Sequence, residues 1–312
     1  MRKCYFYVQT SDAQLTYYAC KKSIVIETKD HPGASAVYDL PGDAVDIVLS
    51  EDEKHICITC LGNDGLDIIV SPAGPVISPA ISIHTNESQT RGAPCPCQAM
   101  HLFLVPTIRT IFAVDWQAHT SRAVYHAEGD EQVHSVTVID QTVYTGASNR
   151  EGAFISTFAI LNECGNVTNP QRISLTDGFY THTAGFTKPV PVLLASCSDK
   201  SITMVISEAR ISLVNAAVDE NGCLSICQSK VVNGFLGTGI TAKLSPDRVA
   251  FSWAAFQDFQ LQFGVSVFDS KSLDTLLVQK TKTICTVKMR GSQSGSMMLV
   301  EAYGDPKLIS ID

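Results

Sequence analysis

A hairpin-forming pattern recurs seven times along this chain, and no other feature restricts its fold as strongly. Each unit is an apolar strand, a turn of Ser, Asn, Asp, Gly or Pro, and a second strand rich in Val, Ile, Phe or Thr. The units are YFYVQTSDAQLTYYA from Tyr5, ICITCLGNDGLDIIV from Ile56, LFLVPTIRTIFAVD from Leu102, VYTGASNREGAFISTFAI from Val143, LLASCSDKSITMVI from Leu193, VAFSWAAFQDFQLQFGVSVFD from Val249 and MMLVEAYGDPKLISI from Met297. Successive starts are 51, 46, 41, 50, 56 and 48 residues apart. A lone hairpin cannot bury its own faces, so this period predicts four-stranded blades stacked around an axis. The expected fold is all-β: a seven-bladed β-propeller with four-stranded antiparallel blades, residues 1–312 forming one domain.

Flanking runs supply the remaining strands. AVDIVLS (44–50), VHSVTVI (133–139), TGITAKL (238–244) and TICTVKM (283–289) read as inner strands, and SIVIET (23–28), QRISLT (171–176), RISLVN (210–215) and DTLLVQK (274–280) as outer ones. FAVDWQAHTSRAVYHAE is the one stretch whose pattern also admits a short helix. The first hairpin begins almost at Met1 and the last ends the chain, so the ring is expected to close by sharing a blade between the termini, since unpaired strand edges invite association. An open ring completed by a partner's strand, as in coat and nuclear-pore scaffolds, is the alternative.

Composition agrees with a packed protein: 45% of residues are hydrophobic and 17% charged, far from the disordered regime. The formal charge is −8 and no window is dominated by Lys or Arg, which argues against nucleic acid as a partner. The N-terminal residues have no continuous apolar region of the secretory kind, and no apolar run is long enough for a transmembrane segment. The 11 cysteines are odd in number and several lie inside strand-like runs, so they read as free thiols of a reducing compartment. The expected location is the cytoplasm, with the nucleus and membrane coats as further places where such scaffolds work.

One unit resembles the WD-repeat family. In LLASCSDKSITMVI, the residues Ala195, Ser196, Ser198, Asp199 and Ile202 stand where that family has its small-Ser-x-Ser-Asp turn. VSVFD likewise ends at Phe268-Asp269, where the family usually has Trp-Asp. No Gly-His dipeptide occurs, and Asp115-Trp116 has the order reversed. The resemblance implies a structural bond between Asp199 and His182, upstream of it; a catalytic His-Asp couple would need a nucleophile signature that is missing.

Several sets of residues admit both a chemical and a packing role. Cys57 and Cys60 form a CxxC, but in a strand they point to opposite faces. Cys95, Cys97, His101 and His84 are the candidate metal ligands: two thiolates and two imidazoles suffice for tetrahedral zinc, though their spacing matches no common zinc module. Gly234, Gly237 and Gly239 neither follow a strand nor open a helix as a phosphate loop would, and Lys243 stands at the wrong distance. Acidic pairs such as Glu51-Asp52-Glu53 read as solvated loops. For partner binding, the lengthened sixth hairpin offers Trp253, Phe256, Phe259 and Phe263, whose rings bury large area with few rotors to immobilise. SPAGPVISPA (71–80) is a second exposed candidate, with proline spacing that suits an extended connector.

These readings predict a non-enzymatic scaffold or adaptor that binds other proteins as a subunit of a larger complex and carries no cofactor. The rival expectation is a propeller enzyme of the lactonase type acting on a small molecule, whose acid-base residues map to no named position here.

Overall fold

The computed structural model describes residues 4–88, 92–159, 171–174, 192–196, 200–207, 211–221, 223–232, 236–245, 247–257, 260–283, 285–289, 297–301 and 307–309. Strands follow one another as antiparallel neighbours. Blade one is β1 (Cys4–Gln9), β2 (Leu15–Cys20), β3 (Ser23–Thr28) and β4 (His31–Asp39); blade two is β5 (Asp43–Leu49), β6 (His55–Leu61), β7 (Leu66–Pro72) and β8 (Ile81–Thr85). Blade three has β9 (Cys95–Cys97), β10 (Leu102–Pro106), β11 (Thr110–Asp115) and β12 (Thr120–His126), and blade four has β13 (Gln132–Ile139), β14 (Thr142–Ser148), β15 (Ala153–Ala159) and β16 (Gln171–Ser174). Blade five has β17 (Val192–Ser196), β18 (Ser201–Ser207), β19 (Ile211–Val218) and β20 (Leu224–Val232); blade six has β21 (Leu236–Ser245), β22 (Arg248–Gln257), β23 (Gln260–Asp269) and β24 (Thr275–Thr281). A last sheet of three strands contains β25 (Cys285–Met289), β26 (Met297–Glu301) and β27 (Lys307–Ile309).

Among the described residues the propeller therefore has six four-stranded blades, not the expected seven. The last hairpin contributes β26 and β27 to a sheet in which β25 is the only other described strand. Strand sharing between the termini is also corrected. β1 pairs with β2 as the inner strand of its own complete blade, and it meets β25 and β26 by packing, without joining their sheet. The error came from treating all seven hairpins as the same pair of strands. The hairpins from Tyr5 and Leu193 are the first and second strands of their blades, whereas those from Ile56, Leu102, Val143, Val249 and Met297 are the second and third. For the same reason SIVIET and RISLVN are third strands, not outer ones. FAVDWQAHTSRAVYHAE forms the β11–β12 hairpin, not a helix.

Apolar side chains lie in layers between blades, because inner strands of successive blades stack and both faces of a blade must be covered. Val8, Tyr17 and Ile24 meet Ile47, Ile56 and Ile77 between blades one and two; Cys57, Ile68, Phe103 and Trp116 fill the next layer. Cys60 belongs to the first layer and Cys57 to the second, as the two-residue strand period requires. Burial pushes the Cys60 thiol up to about 11 and the Cys57 thiol further, so both are inert packing groups.

Turns at one end of the propeller repeat a local device. In Thr10–Leu15 the Thr10 hydroxyl donates to Asp12 (2.7 Å) and accepts from the Leu15 N–H (3.1 Å), and Asp12 accepts from the Gln14 N–H (2.9 Å). Ser50, Asp52, Lys54 and His55 make the same three bonds at 2.7, 3.2 and 3.0 Å. Ala13 and Glu53 occupy the left-handed position in the two turns. The turns are then tied across the blade seam, with Glu53 accepting from the Ser11 N–H and hydroxyl at 2.9 and 3.0 Å.

Candidate functional site

Each blade reverses direction at every strand, so the first-to-second and third-to-fourth turns share one end of the propeller. The second-to-third turns lie at the other. That rule separates the candidate metal ligands. His101 ends a 3-10 turn (Gln98–Met100) between β9 and β10, while His84 sits beside the β6–β7 turn, its Nδ1 2.9 Å from Asp67 and its Nε2 3.7 Å from Asp64. Cys95 and Cys97 share a face of β9, and burial pushes the Cys95 thiol up to about 12 and raises Cys97 as well, away from the thiolate a metal needs. The four residues are not brought together. Among the described residues no group of three or more His, Cys, Asp or Glu has metal-holding geometry.

The aromatic candidates of the sixth hairpin also divide. Trp253 is 2% exposed and packs with Leu193, Leu213, Phe251 and Phe268, so it is a core residue and cannot serve as an anchor. Phe263 is half-buried. Phe256 lies on β22, but its side chain is outside the described set, as are Phe259, His182 and Asp199 in full. Of the WD-like positions, Phe268 stacks on Phe251 at 5.2 Å. Asp269 caps the β23–β24 turn by accepting from the Ser272 and Lys271 N–H groups, which hold its carboxyl below the usual range. Asp115 caps the β11–β12 turn in the same way through Gln117 and Ala118.

Polar clusters at the opposite end join blades. Thr110 Oγ1 lies 3.0 Å from His126 Nδ1 and donates to Glu87, which also accepts from the Thr107 hydroxyl (2.5 Å) and the Arg109 N–H (2.9 Å). The hydroxyl stands between imidazole and carboxylate and is buried, so the set latches the segment after β8 to the β10–β11 turn. Glu131, buried between blades three and four, accepts from the Tyr125 hydroxyl and lies 3.6 Å from Arg172, whose guanidinium covers the Phe154 ring.

Two features of the first end depend on contacts between blades that the sequence did not show. The segment Pro72–Ala80 has no charged residue, yet it is fastened along its length. The Ser71 hydroxyl accepts from the Ser78 N–H (3.0 Å), Ala73 N–H bonds Lys54 O (2.7 Å), and Ile77 is sunk into the layer between blades one and two. Tyr17 of blade one accepts from the Gly74 N–H (2.8 Å) and donates to the Gly74 carbonyl (3.2 Å). Burial pushes the Tyr17 phenol up to about 12, so the group keeps the proton it donates. Between Gly74 and Ile77 the loop holds Pro75 and Val76 outward, Val76 being 65% exposed.

The second feature is the seam between blades two and three. The His55 ring stacks on Trp116 with centroids 5.2 Å apart, and His101 meets the same indole edge-on at 6.0 Å. His55 Nδ1 is buried without a hydrogen-bond partner. Burial depresses the His55 imidazole below its ordinary value; Asp52 opposes this, and His101, Lys54 and His119 reinforce it. A base whose folded value is depressed stabilises the fold above its unfolded value, and that stability is lost as pH falls below about 6.5. His84, raised by its bond to Asp67, has the opposite slope but is exposed, so solvent screens its contribution. The expected result is that His55→Phe, which keeps the stack and cannot titrate, flattens the fall in Tm between about pH 7.5 and 5.5 by roughly 1–2 °C. Thermal melts at both pH values check it, and an unchanged slope would show that His55 does not titrate with folding.

No family model matches the chain, and no curated protein does. Solved structures match over nearly its full length. The periplasmic gluconolactonase of Pseudomonas aeruginosa aligns with 99% of this chain and 89% of its own, at 14% identity and a TM-score of 0.61. Kuenenia stuttgartiensis hydrazine synthase aligns with 100% and 97%, at 9% identity and 0.62. A chain of a mitotic checkpoint complex aligns with 98% and 86%, at 8% identity and 0.65. At these identities the likeness shows the fold alone: the chain is an all-β propeller. Its resemblance to WD repeats rests on the turn residues at Asp199 and Asp269 and has no family model behind it. Among the described residues no helix is long and apolar enough to cross a membrane.

Proposed function

We propose that this propeller is a protein-binding platform, a scaffold or adaptor subunit, and that Pro72–Ala80 is a contact loop. The carrying observation is the clamp: Tyr17, Ser71 and Ile77 hold an uncharged loop in one conformation while Val76 stays in solvent. Exposed apolar groups are common singly. A loop already ordered at both flanks loses little entropy on association, and that favours a contact role. The described cysteines are free and mostly buried, which supports a cytoplasmic setting for this reading.

The test is affinity purification of the intact chain beside Val76→Asp. A partner held in stoichiometric amount by the wild type should be reduced at least about tenfold by a charge desolvated at the contact, with Tm unchanged because Val76 is 65% exposed. Retention of the partner by Val76→Asp would remove the loop from the contact. Absence of any stoichiometric partner, with hydrolysis of gluconolactone by the isolated chain, would replace the platform with the lactonase-type enzyme.

A further inference from the structure

The outer strand of blade six carries a second contact surface that does not involve the loop. Among the described residues β24 is bonded to β23 on one side and ends the sheet on the other, so its outer backbone edge is a template for another strand. Proteins blunt such edges with charge or cover. On β24 the centre is apolar and turned outward: Leu276 is 47% exposed and Val278 50%. Being two residues apart, they share one face with Lys280. Among the described side chains of the other outer strands, β8, β12 and β16 expose no large hydrophobic residue to that degree, and β4 and β20 expose one each, Val37 at 46% and Ile226 at 37%, so β24 is distinguished by carrying two on one face.

Charge narrows the occupant. The chain carries a formal −8, yet residues 275–283 hold two lysines, Lys280 and Lys282, and no carboxylate, while Lys271 in the preceding turn is offset by Asp269 and Asp274. Lys280 and Lys282 are exposed. Lys280 Nζ donates to Gln262 Oε1 at 3.0 Å on the neighbouring β23, and Lys282 follows the end of the strand. A patch with this sign repels the same patch on a second copy brought edge to edge with it and attracts acidic segments.

We propose that β24 accepts an extended segment of a partner protein, with alternating apolar and acidic side chains, as a fifth strand of blade six. Backbone bonds along the edge would supply affinity, Leu276 and Val278 would be covered by the apolar side chains, and the lysines would pair with the carboxylates.

The probe is a fluorescein-labelled peptide of alternating valine and glutamate, compared by fluorescence polarisation with one of alternating valine and lysine. The intact chain should bind the glutamate peptide at least about tenfold more tightly, and binding should weaken as salt rises. Leu276→Glu/Val278→Glu, which removes the apolar cover and repels the glutamate peptide, should cost tenfold or more, about 1.4 kcal/mol, while melting like the wild type. Leu276→Thr/Val278→Thr, which keeps strand propensity, should give an intermediate loss and serves if the charged variant melts early. Equal binding of the two peptides, no binding, or full binding by both variants would overturn the proposal. So would a concentration-dependent dimer, abolished by the same variants in sedimentation, because the occupant would then be a second copy. The Val76→Asp measurement reads the loop separately, so either surface can fail without the other.

Discussion

Trp253→Ala should lower the melting temperature by roughly 6–10 °C while leaving partner binding intact in the fraction that remains folded. The indole is closed off from solvent within the layer between blades five and six, among Leu193, Leu213, Phe251, Phe268 and Leu273. Its Nε1 donates to Ser266 Oγ at 2.9 Å across the β22–β23 pair. The ring lies directly over Gly264, where a Cβ would stand 2.3 Å from Trp253 Cζ2. The two residues therefore form one packing unit in which the glycine makes room for the ring. Truncation removes the ring's burial and leaves a cavity that the flanking sheets cannot close, a cost of about 3–5 kcal/mol. Trp253→Phe keeps part of the ring and loses the Ser266 bond, so it should fall between wild type and Trp253→Ala. Calorimetry or dye-based melts of the three proteins check the order. Should Trp253→Ala melt like the wild type and yet lose its partner, the indole would be a surface anchor and this packing would be wrong.

How much was legible in the sequence follows from what each signal encodes. Alternation along a strand is local, and it located β5, β13, β21 and β25 as inner strands and β16 and β24 as outer ones. It also separated Cys57 from Cys60 into different layers. Position within a blade is not local. The hairpins at Tyr5 and Leu193 look like the others because every antiparallel pair has the same pattern, and only long-range stacking of inner strands shows that they sit one strand earlier in the blade. That phase error produced the missing N-terminal strand and the shared blade. The turn residues were readable in principle: Thr10-x-Asp12 and Ser50-x-Asp52 repeat the same spacing, and their side chains make the same bonds. The contact loop was visible as a proline-rich stretch. Its clamp was not, since Tyr17 belongs to another blade, and the stack of His55 on Trp116 joins two blades in the same way.

Glycine at position 146 shows the same dependence on distant backbone, and its replacement should be clearly destabilising. Gly146 on β14 pairs with Ser135 on β13, where the inner strand β17 of blade five comes closest. A Cβ there would lie 2.5 Å from the Val192 carbonyl oxygen and 2.8 Å from Ser135 Oγ. The hydroxyl is committed to the seam, donating to Val192 O at 2.7 Å and accepting from the Leu194 N–H at 3.1 Å. Neither neighbour can retreat without breaking a buried hydrogen bond, so the added carbon must push the blades apart. Gly146→Ala should cost about 1–3 kcal/mol, the usual range for overpacking, and Gly146→Val more. Ser135→Ala should cost about 1–3 kcal/mol by leaving two buried backbone groups unpaired. The double variant distinguishes the obstacles. If the backbone carbonyl is the main barrier, removing the hydroxyl gives no relief and the two losses add. If the hydroxyl is the barrier, Ser135→Ala/Gly146→Ala should melt no lower than Ser135→Ala alone. Urea unfolding of the four proteins measures the coupling. The shorter distance is to the carbonyl, so additive losses are expected.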